Sequence, residues 1–183
     1  MSSGSLAGRL LLASTTLQDP NFLRTVVLIG MHSEQGALGL VLNRPSAVTV
    51  GEAVPQLEQM MGSGEPVFVG GPVQPGAIVM LAEFLDPDAA GILVFGRIGL
   101  PAPDAPLEGL EDATARRRVF AGYAGWGEGQ LDAEVEQGDW IAHDPLPDDI
   151  FSEDPRELWS EVLTRKGGRY ALIARMPLDP SVN

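Results

Sequence analysis

The sequence predicts an α+β fold, a single domain whose mixed, mainly antiparallel sheet is flanked by short helices. Three observations carry this reading. Apolar runs of four to eight residues outnumber helical patterns, they do not alternate regularly with helices, and "TVVLIGM" and "ALGLVLN" are separated by only "HSEQG". Two apolar runs joined by a few polar residues ending in glycine read as a hairpin, and strands without βαβ alternation favour α+β over a parallel doubly wound sheet.

The elements follow in order. "GRLLLAS" from Gly8 reads as a first strand, with a turn at "QDPN", and the hairpin pair supplies the second and third strands. Their nearly continuous apolarity implies burial on both faces. After Pro45 the pattern turns helical: Thr49 and Glu52 stand at capping-box spacing, Val54, Leu57 and Met61 share one side, and Pro55 moves the regular helix toward its own position. "PVFVGG" and "AIVMLAEF" read as strands flanking "GGPVQPG", "GILVFGRIG" as one further strand, and "LPAPDAPLEG" as a surface loop. Glu108, Glu111 and Asp112 ahead of Arg116, Arg117 and Arg118 are acid first and base last, the order that complements a helix dipole. "RRVFAGYAG" reads as a strand running into "GYAGWGEGQL", and a helix from about Glu128 or Gln130 should stop at Gly138. "DWIAH" is a short extended piece. In the last helix, Asp154 is the expected N-cap, Pro155 the first position and Glu157 the box partner, with Leu158, Trp159, Val162 and Leu163 on its apolar face and Gly167 at its end.

Composition narrows the function classes. The chain has 183 residues, 12 Lys plus Arg against 25 Asp plus Glu, and a formal charge of −13. That field repels phosphate backbones, so nonspecific nucleic-acid binding is disfavoured. With no cysteine there is no disulfide or zinc framework. The apolar runs are too short for a membrane span, and the N-terminus lacks a basic region ahead of a long apolar core, which makes the cytoplasm the expected location. Residues 1–7 are expected to be flexible.

Chemistry is sought at three segments. In "LNRP", Asn43 donates and accepts, Arg44 offers a planar fork, and Pro45 ends the strand. In "GGPV", Gly70, Gly71 and Pro72 make either a tight turn or a nest of backbone N–H groups. In "GYAGWGEGQL", Gly125, Trp126, Gly129 and Gln130 precede a helix N-terminus, where free N–H groups can receive an anion or a carbonyl and Trp126 can anchor the core. His32 and His143 show no metal-ligand spacing, and a loop histidine such as His32 is expected at the solvated surface. There is no G-x-S-x-G elbow, no P-loop and no dinucleotide fingerprint, and Asp132 and Glu134 fall two apart and cannot face each other on a helix. No catalytic residue, metal or cofactor is assigned.

Four ordered segments, "LLASTTLQDPNFLRTVVLI", "GALGLVLNRP", "VFVGGPV" and "FAGYAGWGEGQLDAEVEQGDW", resemble the YqgE/AlgH family of small bacterial proteins, and "PLDPSVN" is similar to the ending of many actinobacterial members. The resemblance implies a single α/β domain in the cytoplasm, with no established biochemical function. Some members carry the label of transcriptional regulator, through an association with alginate production. Carried over by position, the motif residues are Asp19, Pro20, Phe22, Gly39, Asn43, Arg44, Pro45, Gly70, Gly71, Pro72, Gly122, Gly125, Trp126, Gly129, Gln130 and Leu131. Members often have a histidine soon after the GGPV segment; this chain reads "IVMLAEF" there. The expectation is a noncatalytic regulatory or binding protein whose partner is another protein or a small-molecule ligand. Its site would be a pocket of Asn43, Arg44, Pro45, Gly70, Gly71, Pro72, Gly125, Trp126, Gly129 and Gln130. Two alternatives stand beside it: an enzyme acting on a small anionic substrate through Arg44 and backbone amides, and a direct DNA-binding regulator. A sheet-edge homodimer is left open.

Overall fold

In the computed structural model, residues 4–177 are described. Strands β1 (Leu10–Ala13), β2 (Val26–Ser33) and β3 (Gly36–Val41) form an antiparallel meander, with Ser33 opposite Gly36 across the hairpin turn. β4 (Pro45–Thr49) then leads into α1 (Val50–Ala53), a 3₁₀ turn from Pro55, and α2 (Glu58–Met61). The Thr49/Glu52 capping box forms: the Thr49 hydroxyl accepts from Glu52 N–H, and the Glu52 carboxylate accepts from Thr49 N–H at 2.8 Å. Pro55 interrupts the helix, as its missing N–H dictates. The stretch after Pro45 is a short strand before it is helical, because Pro45 and Thr49 pair with Phe68 and Pro66 of β5 (Pro66–Val69).

β6 (Val73–Phe84) is longer than its apolar run. The segment read as one strand over residues 91–99 is a hairpin, β7 (Ile92–Phe95) and β8 (Ile98–Leu100), because the chain reverses at Gly96, whose φ is +52°. α3 (Leu107–Ala113) ends before Thr114, so the three arginines belong not to a helix but to β9 (Thr114–Trp126). Long-range pairing overrides the dipole-like charge order there: Arg116, Arg117 and Arg118 lie opposite Glu83, Ala82 and Leu81 of β6. α4 (Gln130–Glu136) and β10 (Trp140–His143) match expectation, with Gly138 in the left-handed region at φ +84°. After α5 (Pro147–Ile150), α6 (Leu158–Lys166) starts later than Asp154. Residues 154–157 form turns instead, in which Glu157 N–H reaches Asp154 O and Leu158 N–H reaches Pro155 O. Gly167 ends α6 at φ +79°, and α7 (Arg169–Ile173) completes the described elements.

The sheet order is β10-β1-β2-β3-β9-β6-β8-β7, mostly antiparallel, with β5 running parallel to β9 and antiparallel to β4. β9 is the hub. It pairs with β6 along one edge, while β5 (at Phe120 and Ala121) and β3 (at Ala124 to Trp126) share the other. Alternate residues then divide between faces. One face gathers Leu10 and Leu12, Leu28, Leu40, Phe120, Leu81 and Ile98 into a single cluster with Trp159, Val162 and Leu163 of α6. On the other side, α4 covers Leu11, Val27, Val41 and Trp126, while α1, α2 and α3 cover Met80, Ala82 and Val119. Strands from nearly the whole sheet feed one inner cluster, so the sheet is curled around it. The curl brings the segment before β1 against β7: a Cβ built on Gly8 would sit 2.8 Å from Val94 O.

Candidate functional site

The residues singled out in the sequence fall at three places along β3 and β9. Asn43, Arg44 and Pro45 follow the end of β3, whereas Gly125 and Trp126 pair with Leu38 and Ala37 near its start. Six residues of extended chain from Ala37 to Asn43 span about 20 Å. Asn43 joins two strand ends: its Oδ1 accepts from Val26 N–H and its Nδ2 donates to Arg24 O, both at 2.9 Å. Arg44 donates to Leu23 O at 3.0 Å, and burial holds its pKa below the ordinary value against the opposing pull of Asp19.

Gly70, Gly71 and Pro72 sit between these groups, where β5 gives way to β3 along the edge of β9. Val41 N–H donates to Gly70 O, and Gly70 N–H donates to Ala121 O. A Cβ on Gly71 would lie 2.1 Å from the carbonyl carbon of Tyr123, and one on Gly70 would lie 2.3 Å from Gly122 O. The paired glycines therefore let two backbones touch.

The Trp126 group is an aromatic block with a carboxylate at its centre. Trp126, Trp140 and Phe22 pack with ring centroids 5.6 to 6.1 Å apart. Glu134 Oε2 accepts from both indole N–H groups, Trp126 at 2.9 Å and Trp140 at 2.8 Å, while its Oε1 accepts from Gln130 Nε2 at 2.9 Å. Gln130 Oε1 in turn accepts from Gly127 N–H. Gly129 caps α4 at φ +66°.

The titratable groups are also bound into the fold. Arg116 bonds Glu83 and Asp148, Arg117 bonds Thr114 and Met60 O, and Arg118 bonds Ile150 O and Ser152 O while lying 4.3 Å from the Phe68 ring centroid. Burial pulls the Arg118 pKa below its ordinary value. His32 is not a solvated loop residue. It lies in β2, one residue before its end, with its side chain 7% exposed, because Nδ1 accepts from Leu6 N–H at 2.9 Å and Nε2 stands 3.4 Å from Asp132. Residues 1–3, part of the segment expected to be flexible, lie outside the described residues, as does nearly all of the closing "PLDPSVN".

A different feature has the shape of a site. At the mouth of the curled sheet lies an apolar recess of about 390 Å³. Its wall comes from β2 (Leu28, Gly30, Met31), β3 (Leu38, Gly39, Leu40), β9 (Tyr123), β6 (Val79, Leu81), β7 (Ile92, Val94) and β8 (Leu100). The only side-chain oxygen or nitrogen among these residues is the Tyr123 hydroxyl. Met31 and Ile92 are 54% and 62% exposed. Of the residues singled out in the sequence, Gly39 of the family motif set lines this recess, and none of the ten assigned to the expected pocket does. Tyr123 stands inside the "GYAGWGEGQL" stretch, next to Gly122 of the motif set. The other wall residues read as strand residues, and Leu28, Leu40 and Leu81 belong both to the inner cluster and to the recess wall.

A single α+β domain with a curled, mainly antiparallel sheet and an apolar recess at its mouth defines the class of protein. An AlgH-like family model matches residues 10–171. The chain belongs to that family. A UPF0301 protein of Streptomyces coelicolor is 44% identical over 186 residues, covering 98% of this chain and 96% of the relative. One of Mycobacterium tuberculosis is 40% identical over 182 residues, covering 97% and 90%. The crystal structure of a Corynebacterium diphtheriae protein superimposes with a TM-score of 0.87 at 26% identity, covering 96% of this chain and 94% of that one. The solution structure of the AlgH protein from Pseudomonas aeruginosa gives 0.72 at 28% identity, with 98% of each chain covered. No helix among the described residues is long and apolar enough to cross a membrane.

Proposed function

We propose that this chain is a binding protein that takes a small, mostly apolar molecule into the recess at the mouth of its curled sheet. One observation carries the reading: a concavity of about 390 Å³ whose wall offers a single polar side-chain atom. Ligand sites are concave, mostly apolar and of about 300 to 1,000 Å³, with few polar groups. Exposed apolar side chains at its rim add a gain on occupancy of about 25 cal/mol for each Å² covered. The wall holds no carboxylate, imidazole or amine, which favours binding over acid–base chemistry. Occupancy would tie β7 and β8 to β2 and β3, giving a regulatory protein a surface that depends on its ligand.

The test is a titration of the ¹³C-methyl-labelled protein with propylbenzene. Saturable shifts confined to methyls of Leu28, Leu40, Val79 and Leu81 are expected. Val79→Phe, which fills the recess, should weaken binding at least tenfold, and its added bulk should cost about 1 kcal/mol of stability because the recess has room for it. Absence of saturable shifts, or shifts centred on Trp126 and Asn43, would refute the reading.

A further inference from the structure

Resting on that reading of the recess, we infer that its ligand is electrically neutral and carries one hydrogen-bonding oxygen on an otherwise apolar body, with Tyr123 as the residue that selects for that oxygen. Tyr123 pairs with Val73 of β6 and packs, half-buried, against the inner cluster. Its ring lines the recess beside Leu38, Val79 and Leu100. Among the described residues its hydroxyl makes no hydrogen bond, in contrast to all three tryptophan N–H groups, which are bonded to Glu134 or to Ala13 O. A tyrosine hydroxyl both donates and accepts. That of Tyr123 is open to solvent, and a ligand seated in the recess has to offer it a partner in place of water. A hydroxyl or carbonyl on the ligand would supply it.

The charge of the ligand follows from what the wall lacks. An ion moved from water into an apolar site needs a counter-charge or several hydrogen bonds, and one neutral hydroxyl cannot offset its desolvation. Among the described residues no arginine, lysine, histidine, aspartate or glutamate lines the recess. The formal charge of −13 disfavours anions further. The chemistry recognised is that of a neutral alcohol, ketone or phenol, not that of a fatty carboxylate or a phosphorylated lipid.

Three probes with one body separate the contributions: propylbenzene, 3-phenylpropan-1-ol and 3-phenylpropanoate, each titrated against the wild type and Tyr123→Phe by methyl shifts. In the wild type, the alcohol should bind about fivefold tighter than the hydrocarbon, the gain expected of one added hydrogen bond. The carboxylate should bind weaker than both. Tyr123→Phe keeps the ring and removes a hydroxyl that the fold does not use, so its methyl spectrum without ligand should match the wild type. It should abolish the advantage of the alcohol and leave propylbenzene unchanged. Equal affinities for alcohol and hydrocarbon, an alcohol preference that survives in Tyr123→Phe, or a carboxylate that binds as tightly as the alcohol would overturn the inference while leaving the recess a binding site. Failure of propylbenzene itself to bind would overturn the reading beneath it.

Discussion

Glu134→Ala tests whether the Trp126 block is scaffold. The substitution removes one carboxylate that accepts three hydrogen bonds, from Trp126 Nε1, Trp140 Nε1 and Gln130 Nε2 at 2.8 to 2.9 Å. The two tryptophans are 7% and 4% exposed, so their N–H groups would be left with little access to water. Hydrogen bonds to a charged group contribute about 1.5 to 3 kcal/mol, and a buried orphan donor costs about 1 to 3 kcal/mol. Two such donors, with the more exposed Gln130 bond neglected, give a loss of about 3 to 5 kcal/mol. That is a large share of the roughly 5 to 15 kcal/mol typical of a domain. Urea unfolding followed by tryptophan fluorescence measures it. Glu134→Gln, which keeps one acceptor oxygen, should lose about half as much. In folded Glu134→Ala protein, propylbenzene affinity should be unchanged, because Glu134 does not line the recess. A loss below about 1 kcal/mol would refute the scaffold assignment, and a tenfold drop in propylbenzene affinity would show that the block belongs to the site.

Other substitutions probe the remaining parts of the argument. Asn43→Ala strands the buried Val26 N–H and should cost about 2 kcal/mol in a urea titration, leaving propylbenzene binding intact. Gly71→Ala places a Cβ 2.1 Å from Tyr123 backbone and should prevent normal folding, seen as loss of the dispersed methyl spectrum; Gly129→Ala, in open space at φ +66°, should cost only about 1 to 2 kcal/mol. His143 has its pKa lowered, first by burial and then by Lys166 and Arg165, with Asp144 and Asp149 opposing. Its neutral form is therefore favoured in the fold, so its contribution is present above the unfolded pKa of about 6.5 and is lost as pH falls below it. Urea midpoints at pH 8 and pH 5.5 should fall more in the wild type than in His143→Gln, and equal falls would contradict the assignment.

The hairpin of β2 and β3, the Thr49 cap and the C-terminal ends of α4 and α6 were legible because each rests on signals a few residues apart. What escaped the sequence depended on partners far along the chain. Arg116 to Arg118 have the charge order of a helix end while "RRVFAGYAG" reads as a strand, and β6 decides for the strand over all three through Leu81 to Glu83. "GILVFGRIG" has the apolarity of one strand and turns at Gly96 because its two halves pair with each other, the second of them, β8, continuing onto β6. Gly70, Gly71, Asn43 and Trp126 stood out as unusual, and their geometry shows close backbone contacts and paired polar atoms. The recess was invisible for the opposite reason. Leu28, Leu40 and Leu81 look like any strand residues, and the face they share exists only because β9 pairs with three strands and curls the sheet.

A crystal structure of the protein soaked with 3-phenylpropan-1-ol tests the central claim most directly. The account predicts density for the ligand between Leu28, Leu40, Leu81 and Leu100, with its oxygen within about 3.2 Å of the Tyr123 hydroxyl. Ligand seated instead among Asn43, Arg44 and Trp126, or a recess that stays empty while ligand binds elsewhere, would contradict it.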